Sequence, residues 1–192
     1  MSHGFAHVGS QPIFSGHVIT VEVNEFESPT GERFTRDTVR TPGAVVVVPI
    51  IVNDAGGLEV VMIKQWRASV DRVLWELPAG LRDVADEPPE TTAHRELIEE
   101  VGYKAATIEP LAVTLASPGF TNATHHYFLA TNLHYVGTDL QGPEELAMET
   151  VLVSLSQAKA MAITGEIDNG PAVIGLLLAC ERLTSTHRWS GP

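Results

Sequence analysis

The 192-residue chain is 44% hydrophobic and 19% charged, which gives an ordinary soluble globular protein enough apolar material for one sizeable core. Its 24 acidic and 12 basic side chains leave a formal charge of -12, which repels nucleic-acid backbones and anionic membrane surfaces, so neither is expected as a partner. The single cysteine, Cys180, excludes an internal disulfide, and with no charged-then-apolar leader the expected compartment is a reducing cytoplasm.

Residues 1–41 alternate loosely between apolar and polar, as in PIFSGHVITVEVNEF and ERFTRDTV, around a Ser28-Pro29-Thr30-Gly31 turn. They predict two or three antiparallel strands in a small N-terminal annex. Thr41-Pro42-Gly43 ends it, and residues 42–192 read as the main domain. Residues 44–52 are nearly all apolar and β-branched, as in a strand buried on both faces. After turn chemistry at 53–57, residues 58–66 return as a hairpin partner, ending in Gln65-Trp66-Arg67. Stretch 75–103 then joins a glycine turn to a proline-started helix. Beyond it, 107–116 and 124–133 read as strands either side of a Ser-Pro-Gly-Phe turn. A loop at 137–143 leads into the acidic cluster Glu144, Glu145 and Glu149, followed by a strand at 150–155. Ser156 is expected to cap a helix at 157–163. Pro171 should open a last helix, apolar on most sides and therefore packed inside or at an interface. The apolar run 173–180 is too short to span a bilayer. Alternation sends His125 and His126 to opposite faces of a half-exposed strand, which makes a poor metal site, and Met148, Met161 and Trp189 read as packing.

Chemistry concentrates on the helix at about 88–101. Ala93, Leu97 and Val101 form an i, i+4, i+8 stripe for the core. At about 100° per residue, Glu96 and Glu100 flank that stripe while Arg95 and Glu99 lie on the far face as an opposite-charge pair. Glu96 and Glu100 then have only each other unless a cation binds, and paired carboxylates on a rigid element suit a hard divalent ion engaged with phosphates.

Gly80, Glu87, Arg95, Glu96, Leu97, Glu99, Glu100, Gly102 and Tyr103 resemble the Nudix hydrolase signature, Gly-x5-Glu-x7-Arg-Glu-U-x-Glu-Glu-x-Gly-U with U apolar. One departure is visible. Six residues, not five, separate Gly80 from Glu87, whereas the spacing from Glu87 to Arg95 is kept, so the extra residue should bulge the loop and leave the helix register intact. The resemblance implies an α/β fold, the α/β/α sandwich around a mixed sheet, with the N-terminal antiparallel annex added. It implies metal ligands at Glu96, Glu99, Glu100 and the Ala79 carbonyl, with Mg²⁺ as the ion and Mn²⁺ as a substitute, and structural roles for Arg95 and Glu87.

The phrase Trp75-Glu76-Leu77-Pro78-Ala79-Gly80, with Gln65-Trp66-Arg67 before it and Pro118 sixteen residues past Gly102, resembles the ADP-ribose pyrophosphatase branch. For that branch Arg67 would contact the diphosphate, and Leu81, Pro118, Arg36 and Asp37 would join the substrate contacts, with Arg36 standing where some members stack an aromatic. Glu145 would serve the attacking water, with Glu144 and Glu149 as rivals, beside Glu99 and Glu100 in the catalytic set. The annex would dimerise and help build the adenosine site. The implied reaction is hydrolysis of ADP-ribose to AMP and ribose 5-phosphate. Hydrolysis of another nucleoside diphosphate derivative, such as a nucleotide sugar, and non-catalytic sensing of ADP-ribose are the alternatives.

Overall fold

The computed structural model describes residues 4–185. They form two compact units, one from the chain up to Gly43 with Thr114–Thr124, the other from Ala44–Val113 with the chain from His125 onward. Trp189 lies outside the described residues.

The first unit is a three-stranded antiparallel sheet, β1 (Ala6–Ser15), β2 (Thr20–Glu27) and β3 (Arg33–Arg40), in that spatial order. The Ser28 hydroxyl accepts the Thr30 and Glu32 amides at 3.3 and 3.1 Å, which folds the β2–β3 turn. Stacked Phe26 and Phe34, 5.7 Å between centroids, hold the two strands in register. Ser117-Pro118-Gly119-Phe120 is a turn, with the Ser117 carbonyl accepting from Phe120 and Thr121.

In the second unit the long apolar run is β4 (Ala44–Val52), and β5 (Leu58–Arg67) pairs back on it. The hairpin turn is made by the Asn53 side-chain oxygen, which accepts from the Ala55 and Gly57 amides at 3.1 and 2.8 Å. Then come β6 (Arg72–Glu76), β7 (Ala79–Leu81), α1 (Pro89–Val101), β8 (Tyr103–Leu115), β9 (Thr124–Tyr135), α2 (Gly142–Leu146), β10 (Glu149–Ser154), α3 (Leu155–Thr164) and α4 (Gly170–Thr184). The sheet runs β10-β5-β4-β9-β8, with β6 on β5 and β7 on β4; β9 lies parallel to β4, whereas β10 and β6 on β5, and β5 and β7 on β4, are antiparallel. Alternation along β4 sends Val45 and Val47 to α1 and Val46 and Val48 to the face holding α3 and α4. Helices on both faces make the expected α/β/α sandwich. Each face encloses fully buried side chains; Leu97, for example, would cost about 2–5 kcal/mol if cut to Ala.

Several local expectations need correction. Strands β6 and β7 are not expected from a stretch that reads as turn and motif, because each is too short to show a period. The acidic segment after the loop forms the short helix α2. Ser154, not Ser156, caps α3: its hydroxyl accepts the Gln157 amide at 3.3 Å, the third position into a helix that starts at Leu155. Helix α4 begins one residue before Pro171, capped by Asn169, whose side chain accepts the Ala172 amide at 3.0 Å. It is buried on one face only, through Ala172, Gly175, Leu176, Ala179 and Cys180, while Ile174 and Leu177 stay exposed. No described helix is long and apolar enough to cross a membrane.

The feature that places the site is a fork in the sheet. Along one edge β4 pairs with β5 over Ile50–Val52 and with β7 over Ala44–Val46, so β5 and β7 diverge and a cleft opens between them.

Candidate active site

At the fork lies a cavity of about 590 Å³, within the usual range for a small-molecule site. Glu96, Glu99 and Glu100 enter it from α1, Ala79, Gly80 and Leu81 from β7, Arg67 from β5 and Glu145 from α2.

Helix α1 has the register its sequence predicts. Ala93, Leu97 and Val101 are buried against β4 and β5, which sets Glu96 and Glu100 at the edge of that core, only 8% and 4% exposed. Burial pushes both carboxyls up, Glu96 to about 7 and Glu100 to about 8, because water no longer supports their charges. Gly80 lies under Glu96. A Cβ there would stand 1.9 Å from the Glu96 carboxyl carbon, so only glycine leaves the carboxylate its place.

These two glutamates do not have only each other, as the helical pattern suggests. Glu96 Oε1 meets Arg95 Nη1 at 2.7 Å, and Glu100 Oε2 accepts the Ala79 amide at 2.8 Å. Nor is Arg95 reserved for Glu99. Its guanidinium also reaches Glu99 at 3.0 Å and Glu87 at 3.4 Å, joining three carboxylates. Burial works against that charge, but Glu96, Glu87 and Glu99 outweigh it and hold Arg95 firmly protonated. The Thr92 hydroxyl donates to Glu87 at 2.7 Å and, with Arg95, holds the Glu87 carboxyl below its usual range. The residue ahead of Glu87, Asp86, adopts a positive φ of 60°, a local kink in the loop that carries one residue more than the signature.

Arg67 is anchored rather than loose. Its Nε and Nη2 form a two-pronged pair with buried Glu76 at 2.9 and 2.6 Å, which raises the guanidinium pKa further. In the acidic segment, Glu145 lines the cavity and accepts the Gln141 amide at 2.6 Å. Glu149 pairs with Lys64 at 3.3 Å with its side chain well exposed, and Glu144 is exposed on α2. Arg36, Asp37 and Pro118 belong to the other unit. There Arg36 lies over the Phe34 ring at 4.7 Å, and Pro118 occupies the 117–120 turn.

The histidines separate as alternation requires. His125 lines the cavity, and His126 meets Arg82 at 3.3 Å; burial lowers both pKa values and keeps the rings neutral. Gln65 and Glu76 also line the cavity, although in the sequence they stand only within the phrases that carry the resemblance and have no role assigned. The signal that could have found Gln65 is period-two alternation on β5, which sets it on the face of Arg67.

The cavity is strongly acidic: Glu76, Glu96, Glu99, Glu100, Glu145 and Asp83 line it against Arg67 and Arg95. Among the described residues no three His, Cys, Asp or Glu side chains form a closed cage, since Glu96 turns to Arg95 and Glu100 to the Ala79 amide. The donor set fits a hard cation that keeps several of its own waters and takes few protein oxygens. An anionic substrate could enter such a field only with cations that offset it.

Residues 41–173 match the family model described as NUDIX domain. The chain is 37% identical over 175 residues to an ADP-ribose pyrophosphatase of Mycobacterium tuberculosis, covering 91% of this chain and 83% of that one. It is 36% identical over 160 residues to an ADP-ribose pyrophosphatase of Bacillus subtilis, covering 83% and 84%. A crystal structure of an ADP compounds hydrolase superposes with a TM-score of 0.82 over 96% of this chain and 97% of that one, at 22% identity, a likeness of fold.

Proposed function

This chain belongs to the Nudix hydrolase family, and we propose that it hydrolyses the diphosphate of ADP-ribose to AMP and ribose 5-phosphate. The observation that carries the reading is the buried Glu96–Glu100 pair lining a cavity that is also lined by Arg67 and Glu145. Nudix hydrolases generally need a divalent metal. Glu96, Glu99, Glu100 and the Ala79 carbonyl are the groups that would hold it, with Mg²⁺ as the ion and Mn²⁺ as a substitute. When bound, it supplies positive charge to the diphosphate and lowers the pKa of water.

The chain's own residues do the rest. Arg67, its plane fixed by Glu76, offers Nη1 to a diphosphate oxygen, and a clamp held in advance loses little freedom when substrate binds. Glu145 orients the attacking water and takes its proton as the water oxygen bonds to phosphorus and the bridging P–O bond breaks. Glu149 is a weaker choice, since Lys64 already neutralises it at the surface. Leu81 supplies apolar contact at the cavity wall. Arg36, Asp37 and Pro118 are assigned to the adenosine half. The N-terminal unit is assigned to dimerisation, supported by exposed Ile13 and Phe14 on β1, and the compartment to the cytoplasm.

The test is incubation of the purified protein with ADP-ribose and Mg²⁺, with product identification. AMP and ribose 5-phosphate are expected, and Glu100→Gln should lower kcat by roughly a hundredfold or more, the size of a lost metal contact worth several kcal/mol. Absence of AMP at saturating Mg²⁺ sinks the proposal.

A further inference from the structure

Gln65 is 4% exposed, lines the cavity, and its Oε1 is buried with no hydrogen-bond partner. Leaving such a group unpaired costs about 1–3 kcal/mol, so a built site that keeps one is poised for a donor from elsewhere. The two nearest side chains on the sheet do not supply that donor. Directly across the ladder stands Leu74, which is apolar, and the Arg67 beside it on the same face turns Nε and Nη2 to Glu76 and is assigned to the diphosphate through Nη1.

The cavity lining is not all carboxylate. Leu74, opposite Gln65 on the ladder, lines it, as do Ser69, His125 and Asn169, none with a formal charge, the His125 ring being kept neutral by burial. An ion pair from Arg72 Nη1 to Asp168 Oδ1, at 3.2 Å, ties the loop carrying Ser69 to the segment carrying Asn169, two of these lining residues. Phosphate oxygens offer only acceptors and cannot satisfy a carbonyl oxygen. No Phe, Tyr or Trp among the described residues lines the cavity, so it lacks the stacking platform a base would use. A sugar hydroxyl, both donor and acceptor, fits.

We propose that Gln65 is a specificity-determining residue whose amide takes a hydroxyl of the sugar on the non-adenosine phosphate, the terminal ribose, an inference that rests on the ADP-ribose reading above. The site then distinguishes a sugar ester of ADP from one without hydroxyls.

The experiment compares kcat/KM for ADP-ribose and for the n-butyl ester of ADP, which keeps the diphosphate and has no hydroxyl on that side. The wild type should favour ADP-ribose at least about tenfold, the worth of one hydrogen bond to a buried partner. Gln65→Met, similar in length and without the amide, should cost ADP-ribose at least about ten times more than it costs the butyl ester. Gln65→Glu, which keeps an acceptor oxygen, should retain the preference and carries the test if Gln65→Met does not fold. Equal losses on both substrates, or a wild type that hydrolyses ADP-ribose without preferring it, overturn the role of Gln65 while leaving the diphosphatase intact. A wild type that hydrolyses neither ester overturns both.

Discussion

A methyl group on Gly80 would meet the Glu96 carboxyl group at 1.9 to 2.3 Å, whereas one on Gly43 would meet the backbone oxygen of Thr124 at 2.5 Å. The two conflicts have different consequences. A carboxyl group is the far end of a flexible side chain and can swing aside; a peptide oxygen cannot. Gly80→Ala should therefore leave unfolding free energy within about 1 kcal/mol of wild type while displacing one carboxylate of the pair, lowering kcat by roughly a hundredfold. Denaturant unfolding beside steady-state kinetics separates these effects, and a variant that keeps full activity would remove Glu96 from the machinery. The same logic explains why residues differ in legibility. The place of Glu96 beside the buried stripe follows from 3.6-residue periodicity, but its contact with Arg95 and the Ala79 amide on Glu100 depend on side-chain rotation and on a strand twenty-one residues away.

At the scale of the element, α1 is held to its loop by one guanidinium. Arg95 touches Glu87, Glu96 and Glu99, and its planar fork spreads donors over separate nitrogens, whereas lysine offers its three from a single point. Arg95→Lys should cost about 1–2 kcal/mol of stability, a figure kept low because the arginine side chain is 31% exposed and partly screened. A change below about 0.3 kcal/mol in chemical denaturation would show that the three contacts are incidental. The elements that were legible are those long enough to display a period or a punctuation mark: β4 by its apolar run, α1 by its stripe and the Gly102 cap at φ 73°. Strands β6 and β7 have five and three residues, and their strand character comes from the partners β5 and β4 rather than from their own composition.

For the whole molecule, a formal charge of -12 and six acidic residues lining one cavity set the balance that a cation would change. Chelation should abolish hydrolysis and divalent ion restore it. Mg²⁺ at about a hundred times its dissociation constant should stabilise the folded state by about 2.7 kcal/mol, a shift read by thermal unfolding and absent in Glu96→Gln/Glu100→Gln. An equal shift in that double variant would place the binding elsewhere. What the sequence determined by itself was the signature spacing, the order of the longer strands and helices and the face of α1 that carries the carboxylates, because periodicity and fixed intervals are local properties of a chain. What only the tertiary structure decided was the fork at β4, which brings Gln65 and Arg67 of β5, Glu76 of β6 and Glu145 of α2 to one cavity, because the point where two strands part depends on pairings made far apart in sequence.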